Sequence, residues 1–275
     1  MATTQPASIP PLATHDLGGS GPVIVMVHGA GFHGHVWRQT ASLLAPHFRV
    51  LAVDLPGHGR SPSPARPLSW STLANLLQAS ISELSMPVAI AGHSVGATLA
   101  LLVADREPSN VRALWLYEPI VFADDEAAAI AAERLARRSE TRRSKFVDQA
   151  DALAHFTSRP PFDSFDPKVL ADYVSFGTSL NQDGESWRLA CAPSDEAATY
   201  RGIDRHGYAW LGDVECPVKV VTGDEPHGPA PLSSPIEAAL ADARIETWGE
   251  ADHFGVLADP YRTARSIAAH LEVEL

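Results

Sequence analysis

The stretch "AIAGHSVGATLALLVAD", residues 89–105, decides the fold, because it sets Ser94 between two glycines. Gly92 stands two residues before the serine and Gly96 two residues after it. The apolar residues before Ser94 are typical of a buried strand, and those after it are typical of a helix. Gly-x-Ser-x-Gly in that place is the pattern of a nucleophile elbow. The alternative is that Ser94 only caps an ordinary helix.

The two glycines have a steric reason in an elbow. A tight strand-to-helix turn crowds the neighbours of the serine, so the positions two before and two after it must be small. The turn projects the serine oxygen above the sheet, and the helix N-terminus behind it favours developing negative charge. The strand before Ser94 and the helix after it favour the elbow over the cap.

Short apolar runs alternate with helix-length segments over much of the chain. Rich in Val, Ile and Leu and bounded by turn residues, these runs are typical of strands in a parallel sheet. The six runs are "PVIVMVHG" (22–29), "FRVLAVD" (48–54), "PVAIAG" (87–92), "VRALWLY" (111–117), "CPVKVVTG" (216–223) and "ARIETWG" (243–249). The alternation predicts an α/β fold with a doubly wound, mostly parallel sheet.

The alternation stops in the middle of the chain, where the sequence is polar and helix-prone. We predict a core of residues 1–119 and 212–275, interrupted by a helical cap, or lid, of residues 120–211. Its arginine-rich segment "ERLARRSETRRSK" is interpreted as a solvated helix face, with an anion site as the alternative. The aromatic residues of the cap fill either its own core or an apolar substrate site. They are Phe156, Phe162, Phe165, Tyr173, Phe176, Trp187, Tyr208 and Trp210.

Composition limits the partners. The 275 residues carry a net charge of −12, and such an acidic chain repels nucleic acid and anionic membrane surfaces. Cys191 and Cys216 form no CxxC pattern, which leaves one disulfide open and suggests no zinc site. The first residues lack the pattern of a secretory signal, and no apolar run approaches the roughly 20 residues that span a bilayer. A cytoplasmic protein with a small-molecule partner is expected.

Three further motifs accompany the serine. "VHGAGFHGHVW" (27–37) precedes it, "DLPGHGRS" (54–61) follows the next predicted strand, and "GEADHFGVLADP" (249–260) stands before the last helix. In this order the motifs resemble the α/β-hydrolase family, in its serine-nucleophile branch. The resemblance implies the α/β-hydrolase fold, with the cap inserted after the sixth strand of the family pattern, here residues 111–117. No metal or cofactor is expected.

A serine nucleophile needs a base, and His253 is the candidate among 12 histidines. It lies in a loop after the last predicted strand, at the edge where open α/β sheets bind ligands. The order of serine before histidine fits the hydrolase pattern. The family resemblance assigns the two oxyanion-binding amides to Ala30 and Val95, whose backbone N–H groups would hold the charged oxygen.

The pocket is expected to draw on residues near these motifs and on aromatic residues of the cap. For His28 and His58 a structural hydrogen bond in a glycine-containing loop is the favoured interpretation, whereas His33 and His35 face either the pocket or solvent. His93 is expected to point away from the serine. The pocket candidates are His28, Phe32, His33, His93, Tyr208, Trp210 and Phe254.

The acid departs from the commonest family pattern. Most members place an aspartate three residues after the glycine that ends the strand "VKVVTG", and here that position is Pro226. Asp224 and Glu225 lie close to that position but do not occupy it. The other family location is the end of the preceding strand, where Glu118 lies 24 residues after Ser94 (118 − 94). A glutamate at the end of an apolar strand needs a partner, and His253 would supply one. Glu118 is therefore the favoured acid, with Asp224 and Glu225 as alternatives; otherwise, Glu118 only ties down the hinge of the cap.

The leading functional hypothesis is a serine hydrolase that cleaves a small to medium hydrophobic carboxylic ester, thioester or lactone through an acyl-enzyme on Ser94. Carbon–carbon bond hydrolysis, haloperoxidase-like chemistry and lyase chemistry use the same Ser-His pair on this fold and stay open. From another class, the chain could be a non-catalytic ligand-binding module of the hydrolase fold.

Overall fold

The computed structural model describes residues 10–84, 86–182, 184–204, 206–226 and 228–275. Residues 1–9 of the predicted core therefore lie outside the described residues. The strands of the described residues are β1 (Ala13–Asp16), β2 (Val23–Val27), β3 (Arg49–Asp54), β4 (Val88–His93), β5 (Val111–Tyr117), β6 (Lys145–Phe146), β7 (Thr178–Leu180), β8 (Trp187–Leu189), β9 (Val218–Gly223) and β10 (Ala243–Trp248).

Seven of these strands form one sheet in the order β1-β3-β2-β4-β5-β9-β10. β1 pairs antiparallel with β3, and the other neighbours pair in parallel. The strand order reverses between β2 and β4, which lie side by side. In open α/β sheets the crevice outside the carboxyl ends at such a point is where ligands bind. The predicted α/β fold with a mostly parallel sheet is confirmed.

Helices connect the strands and cover both faces of the sheet. The helices of the described residues are α1 (Arg38–Leu44), α2 (Trp70–Ser82), α3 (Val95–Arg106), α4 (Asp125–Glu140), α5 (Gln149–Thr157), α6 (Pro167–Gly177), α7 (Pro193–Arg201), α8 (Ala230–Ala239), α9 (Gly255–Ala258) and α10 (Pro260–His270). Within that same part of the chain, no helix is both long and apolar enough to span a membrane.

Two apolar cores lie on opposite faces of the sheet because successive strand residues point to opposite sides. In β2, Val23, Val25 and Val27 enter the core that also holds α2, α3 and α8. Ile24 and Met26 enter the other core, with α1 and α10. Every residue of α3 from 95 to 104 is buried, so the helix that follows Ser94 is fixed on all sides.

The segment between β5 and β9 holds α4 to α7, as the helix-prone composition predicts. It also holds a feature that the sequence did not reveal, a small antiparallel sheet in the order β6-β8-β7. These strands have two or three residues each, too short for a periodic pattern. β1 was missed for the same reason: it has four residues with only one of them buried.

The structure also tests the expectations for the arginine-rich segment and for the two cysteines. Arg134, Arg137, Arg138 and Arg143 are exposed, as expected of a solvated face, whereas Arg142 is partly buried. Both cysteines are buried and free, so no disulfide joins them.

Candidate active site

Ser94 stands in the turn between β4 and α3 with a backbone φ of 57°, a value that side-chain-bearing residues rarely adopt. Its N–H donates to the carbonyl of Tyr117 at 3.0 Å, which ties the turn to the end of β5. A Cβ on Gly92 would lie 2.6 Å from the Ala97 nitrogen, and one on Gly96 would lie 2.4 Å from the Val27 oxygen. The turn therefore requires both glycines. The side chain of Ser94 makes no capping hydrogen bond to α3.

Two backbone amides flank the serine without acceptors. Val95 begins α3, and Ala30 lies in the loop after β2. Among the hydrogen bonds of the described residues, neither N–H has a partner, and both residues are buried. Buried N–H groups are almost always paired, so these two unpaired amides are donors available to a bound ligand.

The structure brings Glu118 and His253 together. The Nδ1 atom of His253 lies 2.6 Å from Oε2 of Glu118. The other carboxylate oxygen accepts the N–H of Gly223 at 2.9 Å. Glu118 is 1% exposed and its φ is 45°, so both its burial and its backbone are held by the surroundings. A neutral histidine in this contact carries its proton on Nδ1 and leaves Nε2 free to act as a base.

The loop that carries His253 is fastened beside the serine. His93 donates its Nε2–H to the carbonyl of His253 at 2.8 Å, and the two rings lie 4.7 Å apart. The Tyr117 hydroxyl donates to the carbonyl of Asp252 at 2.6 Å. Burial, and then the nearby His253, hold the pKa of His93 well below its usual range, so His93 stays neutral. His93 therefore supports the candidate base from the residue next to Ser94.

No hydrogen bond between the Ser94 hydroxyl and His253 occurs among the described residues. Catalytic hydrogen bonds of this kind often tighten only when substrate is bound. The two other acid candidates stand apart from the histidine. Asp224 and Glu225 are exposed, and Asp224 instead accepts the N–H of Glu250 at 3.1 Å.

Both ring nitrogens of His28 are engaged in hydrogen bonds with the backbone. Its Nδ1 lies 2.7 Å from the carbonyl of Gly29, and its Nε2 accepts the N–H of Leu55 at 3.0 Å. His58 likewise accepts the N–H of Gly31 at 3.1 Å through Nε2. Both rings thus hold the loop after β2, and both accept hydrogen bonds that only a neutral nitrogen can accept. This geometry matches the structural interpretation of the two histidines and removes His28 from the pocket.

Because His28 stays neutral in the fold, we expect stability to fall in mild acid. Burial first, and then His58, lower the pKa of His28 to about 3, whereas an unfolded histidine has a pKa of about 6.5. Between these values the unfolded chain binds a proton that the folded chain does not. The free energy of unfolding should therefore decrease as the pH falls below about 6.5, by up to about 1.4 kcal/mol per pH unit for each such histidine.

Urea unfolding at a series of pH values measures this slope. Burial also lowers the pKa of His58 and of His93, so the slope should exceed that of one histidine. Replacing the exposed His47 by glutamine serves as the control and should leave the slope unchanged. A free energy of unfolding that stays constant from neutral pH into mild acid would contradict the expectation.

Aromatic residues of the segment after β5 contact the two loops of the site. Phe32, two residues after Ala30, lies 6.2 Å from Phe162 and 5.5 Å from Tyr173 between ring centroids. Phe254, next to His253, lies 5.8 Å from Phe165 and 6.0 Å from Phe32. The rings thus form one apolar cluster that joins both loops.

Of the remaining pocket candidates, His33 stacks on Tyr173 of this cluster, with the ring centroids 5.8 Å apart, whereas Tyr208 and Trp210 lie elsewhere. His33 is 2% exposed and donates its Nε2–H to the carbonyl of Tyr173 at 3.0 Å. Tyr208 and Trp210 pack with the core on the α3 face of the sheet, and the Trp210 indole N–H donates to the carbonyl of Gly207 at 2.9 Å. Within the described residues, no cluster of three or more His, Cys, Asp or Glu is placed to hold a metal ion.

Known proteins resemble this chain over most of its length. A family model described as the alpha/beta hydrolase family matches residues 24–266. A pimeloyl-[acyl-carrier protein] methyl ester esterase of Chromobacterium violaceum is 42% identical over 265 residues, which cover 93% of this chain and 96% of that protein.

Among solved structures, an E-2-(acetamidomethylene)succinate hydrolase superposes with a TM-score of 0.84 at 23% identity and covers 95% of both chains. An enol-lactonase from Burkholderia xenovorans superposes with a TM-score of 0.72 at 19% identity, over 95% of this chain and 96% of that chain. At these identities the two structures show a similarity of fold alone.

Proposed function

The chain belongs to the alpha/beta hydrolase family and is an esterase-type hydrolase, and from this premise we propose that Ser94, His253 and Glu118 form its catalytic triad. The observation that carries the proposal is the 2.6 Å contact between His253 and the buried Glu118, in a loop fastened beside the serine turn. The unpaired amides of Ala30 and Val95 also support it.

The proposed reaction proceeds through an acyl-enzyme. The Ser94 oxygen bonds to the substrate carbonyl carbon while Nε2 of His253 takes the hydroxyl proton. The carbonyl oxygen gains the negative charge, and the N–H groups of Ala30 and Val95 stabilise it. When the carbon–oxygen bond breaks, His253 returns the proton to the leaving alcohol. Water then attacks the acyl carbon while Nε2 of His253 takes a proton from it. The ester bond to Ser94 breaks, the acid is released, and His253 returns the proton to the Ser94 oxygen.

Glu118 acts in this scheme through the histidine. It holds the imidazole in the tautomer that leaves Nε2 free and stabilises the imidazolium after proton transfer. Each amide of the oxyanion site contributes roughly 3–4 kcal/mol to the transition state.

We propose a small to medium hydrophobic carboxylic ester, thioester or lactone as the substrate. The relative named as a methyl ester esterase supports an ester bond. The aromatic cluster of Phe32, Phe254 and the rings after β5 supports an apolar acyl or alcohol group. In this scheme residues 120–211 act as the cap over a core of residues 1–119 and 212–275.

Labelling with a fluorophosphonate tests the proposal. An activated serine reacts with this probe, so intact mass and peptide mapping should find one adduct, on Ser94. Replacing His253 by alanine should abolish labelling, whereas replacing the exposed His47 by alanine should leave it unchanged. A folded parent protein that stays unlabelled, or that is labelled at another residue, would overturn the proposal and favour a ligand-binding module.

A further inference from the structure

Ala30, whose N–H is a proposed oxyanion donor, lies between two glycines that each meet another part of the chain closely. A Cβ on Gly29 would lie 3.3 Å from the Cβ of Ser94, so the residue before Ala30 contacts the serine turn. The N–H of Gly31, the residue after Ala30, donates to Nε2 of His58 at 3.1 Å. The backbone of Ala30 is thus held through its two neighbours.

An ion pair from the segment between β5 and β9 contacts Gly31. Nη1 of Arg142 lies 2.8 Å from Oε2 of Glu196, and the two side chains are only 19% and 10% exposed. Gly31 has a φ of 83°, and a Cβ there would lie 2.9 Å from Oε1 of Glu196 and 3.2 Å from Nη1 of Arg142. The ion pair therefore lies directly against the backbone of the residue that follows Ala30.

Glu196 reaches Gly31 from a helix that is fastened to the core. It belongs to the first turn of α7. The indole N–H of Trp70, in α2, donates to the carbonyl of Thr199 in the same helix at 2.7 Å. Because α7 is held in this way, the carboxylate of Glu196 contacts the loop from a fixed support.

The contribution of this ion pair to stability does not explain its presence. The cost of removing two charges from water offsets much of their attraction, so replacing both partners of a buried pair by uncharged side chains is often neutral for stability. The position of the pair matters more. An oxyanion donor stabilises a transition state only if it is held in place before the reaction, and a displacement of about 1 Å can cost about 100-fold in rate.

We propose that Glu196 and Arg142 are positioning residues of the reaction, because their ion pair holds Gly31 and thereby directs the N–H of Ala30 towards the oxyanion. This inference rests on the proposed esterase function. Neither side chain touches the reacting atoms in this scheme, and both act through the backbone of the loop. The proposed cap thereby contributes to the reaction rate and not only to the shape of the pocket.

Comparison of an ester with its thionoester tests the proposal. In the thionoester sulfur replaces the carbonyl oxygen, and sulfur accepts hydrogen bonds more weakly, so the oxyanion amides stabilise its transition state less. Both compounds are p-nitrophenyl esters and use the same nucleophile and base. In the parent protein the ratio of kcat/KM for the ester to that for the thionoester should exceed the ratio of their rates of hydrolysis by hydroxide. This ratio does not depend on the fraction of protein that is folded.

The deciding variant is R142M/E196A, which removes both charges and the contact with Gly31. Its kcat for the ester should fall by about 10–100-fold with little change in KM, because an oxyanion donor acts in the transition state. The ratio of ester to thionoester should fall towards the value for hydroxide. The matched control is R201M/E133A, since Arg201 and Glu133 form an exposed ion pair between α7 and α4 and should be replaceable without loss of kcat or of the ratio.

A second variant keeps the test decisive if R142M/E196A does not fold. R142M/E196Q preserves the lengths of both side chains and removes their charges, so its melting temperature should stay near that of the parent protein. Without the attraction between the two charges the contact with Gly31 is no longer fixed, and the ratio of ester to thionoester should again be lower than in the parent protein.

Three results would overturn the positioning role: a parent protein whose ratio equals that for hydroxide, variants that keep the parent kcat and ratio, or variants whose kcat falls while the ratio stays unchanged, which indicates a structural role alone. Failure of the proposed function has a different signature. In that case the parent protein neither hydrolyses the p-nitrophenyl ester nor accepts the fluorophosphonate on Ser94, whereas failure of the positioning role leaves both intact.

Discussion

Replacing Ser94 by alanine is expected to lower kcat for hydrolysis of a p-nitrophenyl ester by about a millionfold, to the residual rate that the oxyanion site alone supports. Only the hydroxyl group is removed, so the amides of Ala30 and Val95 and the contact between His253 and Glu118 stay in place. Steady-state rates measured beside the parent protein test the expectation. Ser42→Ala, at an exposed serine, is the control and should keep full activity.

The backbone of Ser94 adds a second expectation that separates stability from activity. At a φ of 57° a residue with a Cβ is strained, whereas glycine is not. Ser94→Gly should therefore be more stable than Ser94→Ala by about 1 kcal/mol in urea unfolding, with both variants inactive. If Ser94→Ala kept a substantial part of the parent activity, Ser94 would not be the nucleophile.

Local sequence was sufficient to predict the turn and the strands around it. The run before Ser94 becomes β4 and the run after it becomes α3, because both are apolar on every face and the glycines permit the turn between them. The same argument found β2, β3, β5 and β9. It also found β10, an edge strand of the sheet in which only Trp248 is buried; this exposure explains the charged residues in its run.

Contacts between distant parts of the chain could not be read from local patterns. His253 and Glu118 are 135 residues apart, and the sequence favoured Glu118 as the acid but left Asp224 and Glu225 as alternatives. The pairing of His253 with Glu118 follows from the sheet. His93 and Tyr117 are paired in the register of β4 and β5, so Ser94 and Glu118 follow the ends of adjacent strands. Asp224 also follows a strand end, but it is exposed and bonds to Glu250.

The ion pair of Arg142 and Glu196 was missed for a related reason. Arg142 stands in a run of arginines that reads as a solvated face, and most of that run is exposed. Nothing in the run marks Arg142 as the one that meets Glu196, which lies 54 positions later (196 − 142). The signal that could have been used is Gly31: a glycine next to a candidate oxyanion residue suggests that another group approaches the backbone closely.

Replacing Glu118 by glutamine is expected to lower kcat for ester hydrolysis by roughly 10⁴-fold, because a glutamine can present its amide N–H₂ to Nδ1 and favour the wrong tautomer of His253. The carbonyl oxygen of the glutamine can still accept the N–H of Gly223, so this isosteric change tests the orientation of the histidine and not the packing.

The matched controls are Glu225→Gln and Asp224→Asn, which change exposed carboxylates near the same edge of the sheet and should leave kcat within a factor of about two, as expected of surface substitutions. Melting temperatures of the three variants show whether folding is preserved. Because Glu118→Gln retains Ser94 and both oxyanion amides, its residual rate should lie above that of Ser94→Ala. If either control lost activity while Glu118→Gln kept it, the acid would be Asp224 or Glu225, and the buried Glu118 would serve to fasten the His253 loop to β9 instead.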